Sequence, residues 1–115
     1  MDTSEILIRI NNHKNLNTIE SVCEKLSFSL SEIKSKSRKR ETVIRRNIVM
    51  FILRIKNITL VEIGNFFNKH HSSVIHAVKS IYIWIKTKDE LFLSVIDGLN
   101  KEAKFVLSQS GIINN

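Results

Sequence analysis

Residues 59–81, T-L-V-E-I-G-N-F-F-N-K-H-H-S-S-V-I-H-A-V-K-S-I, decide how this chain folds. Thr59 is a good N-cap and opens a short helix over residues 60–67, with Ile63 and Phe67 spaced to face inward. Gly64, which has no Cβ, lets a neighbouring helix come close to that helix. Asn68 is the natural left-handed residue to stop it. A longer helix begins near His71, and Val74, Ala77, Val78, Ile81 and Ile85 form one apolar stripe at helical spacing. Ser72, Ser73, His76 and Lys79 are left facing away from that stripe. A short helix, a tight polar turn and a longer helix with a polar start have the spacing of a helix-turn-helix.

Working upstream, Ile44, Ile48, Phe51, Ile52 and Ile55 predict a helix that follows a polar, basic connection over residues 34–40 and ends at Asn57. Arg45, Arg46 and Arg54 are expected to project from its flank. Asn17 or Thr18 caps an earlier helix carrying Ile19, Val22, Cys23 and Leu26. Serines at 27, 29 and 31 interrupt it before a short helical turn around Ile33. The first residues, with Ile6, Leu7, Ile8 and Ile10, suit a short helix or an extended arm equally well. Downstream, one last helix over roughly 88–107 carries Leu91, Phe92, Val95, Ile96, Leu99 and Phe105. With no proline and three glycines, a sandwich or barrel built on tight turns is disfavoured. The expectation is an all-α bundle of about five to six helices: an arm at 1–16, one helix-turn-helix domain at 17–107, and a flexible tail at 108–115.

The charge is unevenly placed. Of eighteen lysines and arginines, nine fall between Lys34 and Lys56, where Glu41 is the single acid, so the formal +7 is concentrated in this stretch. A solvated helix face usually alternates signs to gain pairs one turn apart, and this stretch does not. A concentrated cationic patch implies a polyanionic partner, a nucleic acid, and paired with the helix-turn-helix pattern it points to double-stranded DNA. Cys23 is the only cysteine, which rules out a disulfide within the chain and fits a reducing, cytoplasmic location. The start, M-D-T-S-E-I-L-I-R-I, lacks the pattern of a secretory signal. The longest apolar run, 48–53, is far too short to cross a bilayer, so no membrane partner is expected.

Catalytic and metal chemistry find little support. His71 and His76 are five apart and do not share a helix face, and no cysteine or carboxylate completes a ligand set with His70, so neither a metal nor any other cofactor is expected. A serine and histidine pair drawn from Ser72, Ser73, His71 and His76 lacks a strained elbow, an oxyanion element and an orienting acid, so no enzyme activity is expected. Cys23 lies on an apolar stripe and reads as a small core residue. His76, Tyr82 and Trp84 read as packing residues. By contrast, a helix-turn-helix places the start of its second helix in the major groove, where hydroxyls and an imidazole can meet base edges. Ser72, Ser73 and His71 are positioned for that; the alternative is that the serines only cap the helix while His71 is solvated.

Three blocks resemble, in order, the C-terminal DNA-binding domain of the bacterial replication initiator DnaA. N-K-H-H-S-S-V-I-H-A resembles that family's G-R-D-H-T-T-V-x-H-A. I-K-S-K-S-R-K-R-E-T-V-I-R-R-N-I-V-M resembles its basic loop and helix, S-K-R-R-S-R-x-x-x-R-P-R-Q-x-A-M, and L-V-E-I-G-N-F-F resembles L-P-E-I-G-x-x-F. The likeness covers about residues 17–100. It implies that His71, Ser72 and Ser73 read bases in the major groove and that Arg38 enters the adjacent minor groove. It further implies that Lys36, Arg40, Arg45, Arg46, Asn47, Lys69, His70 and the backbone near Val61 hold phosphates. An arginine in a narrow A·T-rich minor groove meets enhanced negative potential, and a helix N-terminus favours phosphate, which agrees with that division.

Three departures bear on function. His70 stands at the family's aspartate and removes an acceptor for a cytosine amino proton, which shifts the expected sequence preference. Ser72 and Ser73 replace threonines and lose two methyls that could pack on thymine. No G-x-x-x-x-G-K-[ST] occurs, and 115 residues leave no room for an ATPase module, so ATP-dependent assembly is not expected. The reading is therefore a sequence-specific DNA-binding protein that regulates replication or transcription by occupying sites. Two alternatives are a dimeric repressor-like regulator, with a homodimer built on the N-terminal arm or last helix, and a protein-interaction module whose basic face is incidental.

Overall fold

The computed structural model describes residues 18–113. Among them every regular element is helical. In chain order these are α1 (18–26), α2 (Leu30–Lys34), α3 (Arg40–Ile55), α4 (Leu60–Phe67), α5 (His71–Thr87), α6 (Glu90–Asp97) and α7 (Lys101–Gln109). The all-α expectation is met, with seven helices rather than five or six. The arm at 1–16 and the Asn17 cap lie outside the described residues.

The bundle is organised around α3, which packs against α2, α4, α5 and α6. A helix with neighbours on several sides must be apolar on several sides, and residues 46–53 are all buried without a break. The one-sided stripe expected from Ile44, Ile48, Phe51 and Ile52 is thus too narrow, since Val49, Met50 and Leu53 are buried as well. Ile55, expected inside, is the last residue of α3 and is 48 % exposed. Each fully buried isoleucine or leucine contributes roughly 1.5–3 kcal/mol, against about 0–1 kcal/mol for a surface ion pair. Burial of α3 therefore outweighs the charged contacts described below in holding the bundle together. Cys23 belongs to the same core, and burial pushes its thiol up to about 11, which leaves it unreactive.

The last helix expected over 88–107 is two helices. Lys88 turns the chain through a left-handed residue, φ 55°, and Asp89 caps α6 by accepting from the Phe92 N–H at 3.0 Å. Gly98 ends α6, and Asn100, extended at ψ 174°, accepts from the Ala103 N–H at 2.8 Å to start α7. The interruption rotates the inward face, so Ala103 and Leu107 are buried while Phe105, expected inside, is 59 % exposed. Beyond α7, among the described residues, Gly111 turns the chain at φ 83°, the Ile112 N–H donates to the Leu107 carbonyl at 3.0 Å, and Ile112 is buried; the end of the expected flexible tail, 114–115, lies outside the described residues.

At α4 the cap is a reciprocal box. The Glu62 N–H donates to Thr59 Oγ1 at 3.1 Å, and the Thr59 N–H donates to Glu62 Oε2 at 3.3 Å. Thr59→Ala is expected to cost about 1 kcal/mol of stability, read as a lowered melting temperature, with no change in which duplex the protein prefers.

Candidate nucleic-acid interface

The turn between α4 and α5 is closed by local chemistry. Asn68 adopts φ 54° and ψ 47°, the left-handed conformation expected of it, and the Lys69 N–H donates to the Gly64 carbonyl at 2.7 Å. A Cβ on Gly64 would collide with the Lys69 carbonyl oxygen. The close approach is thus made by the turn itself, which fixes where α5 begins.

The N-cap of α5 is His70, not a serine. The Ser72 N–H donates to His70 Nδ1 at 3.2 Å, the Ser72 hydroxyl lies 2.8 Å from the same nitrogen, and the His70 and His71 rings are 4.1 Å apart. His71, Ser72 and Ser73 are exposed in the first turn of α5, while Val74, Ala77 and Ile81 anchor the opposite face. Their N–H groups and the helix dipole make this end electropositive.

Across from α5 lies the basic loop, residues 35–39. Ser35 and Ser37 are half-buried whereas Lys36 and Arg38 are exposed, so the loop turns its serines inward and its cations outward. The serines support it locally: the Ser37 N–H donates to Ser35 Oγ at 3.3 Å, and the Lys39 N–H to Ser37 Oγ at 3.2 Å. A cleft of about 560 Å³ separates loop and helix, with Lys36, Arg38, Asn47, Lys69, Ser73 and His76 among its walls and Met50 behind them. Residues from three stretches distant in sequence are thereby brought to one face. His76, read as a packing residue, lies exposed on that wall.

The cations expected to hold phosphates fall into distinct environments. Lys36 and Lys69 are exposed at the rim. Arg40 is exposed but ion-paired to Asp89 at 2.6 Å, and Arg45 is paired to Glu32 at 2.8 Å, with the Thr42 hydroxyl donating to the same carboxylate oxygen at 3.1 Å. The acids that temper this patch come from outside it in sequence and could not be read from its composition. Arg46 does not project from the α3 flank: it is 5 % exposed, and burial lowers its pKa, opposed by the charge of Glu32. Asn47 is buried to a similar degree, at the back of the cleft. Val61 is exposed in the first turn of α4. Among the described residues no group of histidines, cysteines or carboxylates is placed to hold a metal, and no helix is long and apolar enough to cross a membrane.

Asp89 carries a pH dependence whose sign is fixed. The Phe92 N–H bond is the largest influence on its carboxyl and, together with the Arg40 pairing, outweighs the upward push of desolvation and holds it below the ordinary carboxylate value. A depressed folded-state value contributes stability above the unfolded value, near pH 4, that is lost as pH falls toward the depressed one. Thermal melts from pH 7 to pH 3 are expected to show a shallower acid decline for Asp89→Asn than for the unmodified chain; identical slopes would contradict this.

The bacterial DnaA helix-turn-helix family model matches residues 17–81. The chain is 38 % identical over 85 residues to the chromosomal replication initiator protein DnaA of Thermodesulfovibrio yellowstonii, covering 72 % of this chain and 19 % of that protein. To the protein of the same name from Oleidesulfovibrio alaskensis it is 32 % identical over 83 residues, 71 % of this chain and 18 % of the relative. For that of Mycoplasma genitalium the figures are 35 % over 74 residues, 64 % and 17 %. The chain thus spans about a fifth of the length of the curated relatives it matches. No solved structure gives a significant match. Its matched region carries the basic loop, the Gly64 turn and the start of α5, and this chain belongs to the bacterial DnaA helix-turn-helix family of DNA-binding domains.

Proposed function

We propose that this chain binds double-stranded DNA sequence-specifically, occupies sites of the DnaA-box type, and regulates replication or transcription by that occupancy without catalysing a reaction. The observation that carries this reading is the juxtaposition, across one cleft, of the Arg38 loop and the exposed start of α5. Adjacent major and minor grooves are separated by one sugar–phosphate strand, so an element in each requires a cleft between them. His71, Ser72 and Ser73 face the major groove and Arg38 the minor groove. Lys36, Lys69 and the first N–H groups of α4 near Val61 hold phosphates, and Arg40 and Arg45 reach phosphate by exchanging their carboxylate partners for it. His70 acts here chiefly as the cap of α5, which supports a sequence preference differing from the one that the family pattern's aspartate at this position implies.

Fluorescence anisotropy with duplexes carrying a DnaA box or its scrambled sequence tests this. At physiological salt the box is expected to bind roughly 10³-fold or more tightly; equal affinities would sink sequence-specific recognition. In the same assay Lys36→Ala is expected to lower the slope of log affinity against log salt by about one unit or less, equally on both duplexes.

A further inference from the structure

Arg46 is the one cation of the basic segment whose side chain is buried, and where Arg40 and Arg45 bond carboxylates it bonds backbone carbonyls only. Its Nε donates to the Ile33 carbonyl at 3.0 Å, and its Nη2 donates to the carbonyls of Ser35 at 2.7 Å and Ser37 at 3.2 Å. The three acceptors lie at the end of α2 and in the loop that presents Lys36 and Arg38. The Ile33 carbonyl is one that the last turn of α2, ending at Lys34, leaves without an intrahelical partner, and those of Ser35 and Ser37 follow it in the C-cap and the loop. Within residues 33–37 the alternate carbonyls turn inward to one guanidinium while Lys36 and Arg38 stay exposed. A planar fork with several fixed donors suits that task, whereas a lysine ammonium is a point charge on a flexible stem.

We propose that Arg46 is a positioning residue that fixes the basic loop, so that Arg38 is held in register with the start of α5 across the cleft. This rests on the DNA-binding reading above and replaces a direct phosphate contact as the role of Arg46. A loop held only by the Ser35 and Ser37 hydroxyls would sample many orientations, and Arg38 would bear the cost of ordering it on each binding event.

Two arms test it with the intact chain. Limited trypsin digestion, read by mass spectrometry at Lys36, Arg38 and Lys39, reports loop order without DNA. Arg46→Lys, which keeps the charge, and Arg46→Met, which keeps apolar bulk, are both expected to raise cleavage there about tenfold, with helical circular dichroism retained. Unchanged cleavage in a folded variant overturns the proposal. If Arg46→Met does not fold, the lysine variant decides. In the second arm, Arg38→Ala is made in the unmodified and Arg46→Lys backgrounds. It is expected to weaken box binding at least fivefold in the first and less than twofold in the second, because a disordered loop has already lost the contact. Full retention of box affinity by Arg46→Lys, or an equal effect of Arg38→Ala in both backgrounds, overturns the positioning role. Failure of the unmodified chain to prefer a box refutes the DNA-binding reading and the positioning role that rests on it. The digestion arm then still shows whether Arg46 orders the loop.

Discussion

Gly64→Ala is expected to lower stability by about 1–3 kcal/mol and to remove most of the discrimination between a box and a scrambled duplex. In a helix interior the exchange ordinarily stabilises by about 0.5–1 kcal/mol. Here the new methyl would meet the Lys69 carbonyl oxygen, which is backbone and cannot swing away. Relief requires the turn to shift, and that turn sets where α5 starts. Gly98 supplies the internal control, because its φ is −75° and a Cβ there would meet the Val95 carbonyl at an ordinary 3.6 Å. Gly98→Ala is therefore expected to be neutral or to stabilise by up to about 1 kcal/mol, with duplex discrimination unchanged. Paired thermal melts and anisotropy titrations check both. A Gly64→Ala protein that melts above the unmodified chain would contradict the turn geometry.

Arg38→Ala is expected to reduce box affinity by about 1–3 kcal/mol, the scale of a good specific contact, while affinity for scrambled duplex falls by only the share of one cation. The loss should be confined to the base pairs under the loop. Inosine·cytosine pairs separate the grooves: they look like A·T in the minor groove and like G·C in the major groove, because inosine lacks the guanine 2-amino group. The unmodified protein is expected to accept inosine·cytosine but not G·C at those pairs, and Arg38→Ala to be nearly indifferent. An equal loss on every duplex would assign Arg38 to phosphate instead.

Much of the recognition unit is legible in sequence because its determinants are local. Thr59, Asn68 and the stripe of Val74, Ala77 and Ile81 each act within a turn or two of themselves, and the structure places them as read, adding Glu62 as the second half of the cap. The reading of α3 was incomplete for a different reason. Whether Val49, Met50 and Leu53 are buried depends on how many helices surround α3, which no window along the chain contains. At 98–100 a glycine and a capping asparagine mark the break, but apolar residues continue at helical spacing on both sides of it and mask the cap in the pattern. The charged groups were the least readable. Arg40 meets Asp89 forty-nine residues away and Arg45 meets Glu32 thirteen away, so a segment that reads as bare positive charge is partly neutralised in the fold. Arg45 and Arg46 are adjacent and chemically identical in sequence; only the direction each takes from α3 separates a half-buried ion pair from a buried clamp on the loop.

A loop and a helix that straddle one strand read both adjacent grooves in a single complex. Dimethyl sulfate footprinting reads both together, since it modifies guanine N7 in the major groove and adenine N3 in the minor groove. On a box duplex, guanine N7 is expected to be protected in one part of the site and adenine N3 in the adjoining groove, with the adenine protection alone lost in Arg38→Ala. Protection confined to one groove, or adenine protection that survives Arg38→Ala, would contradict it.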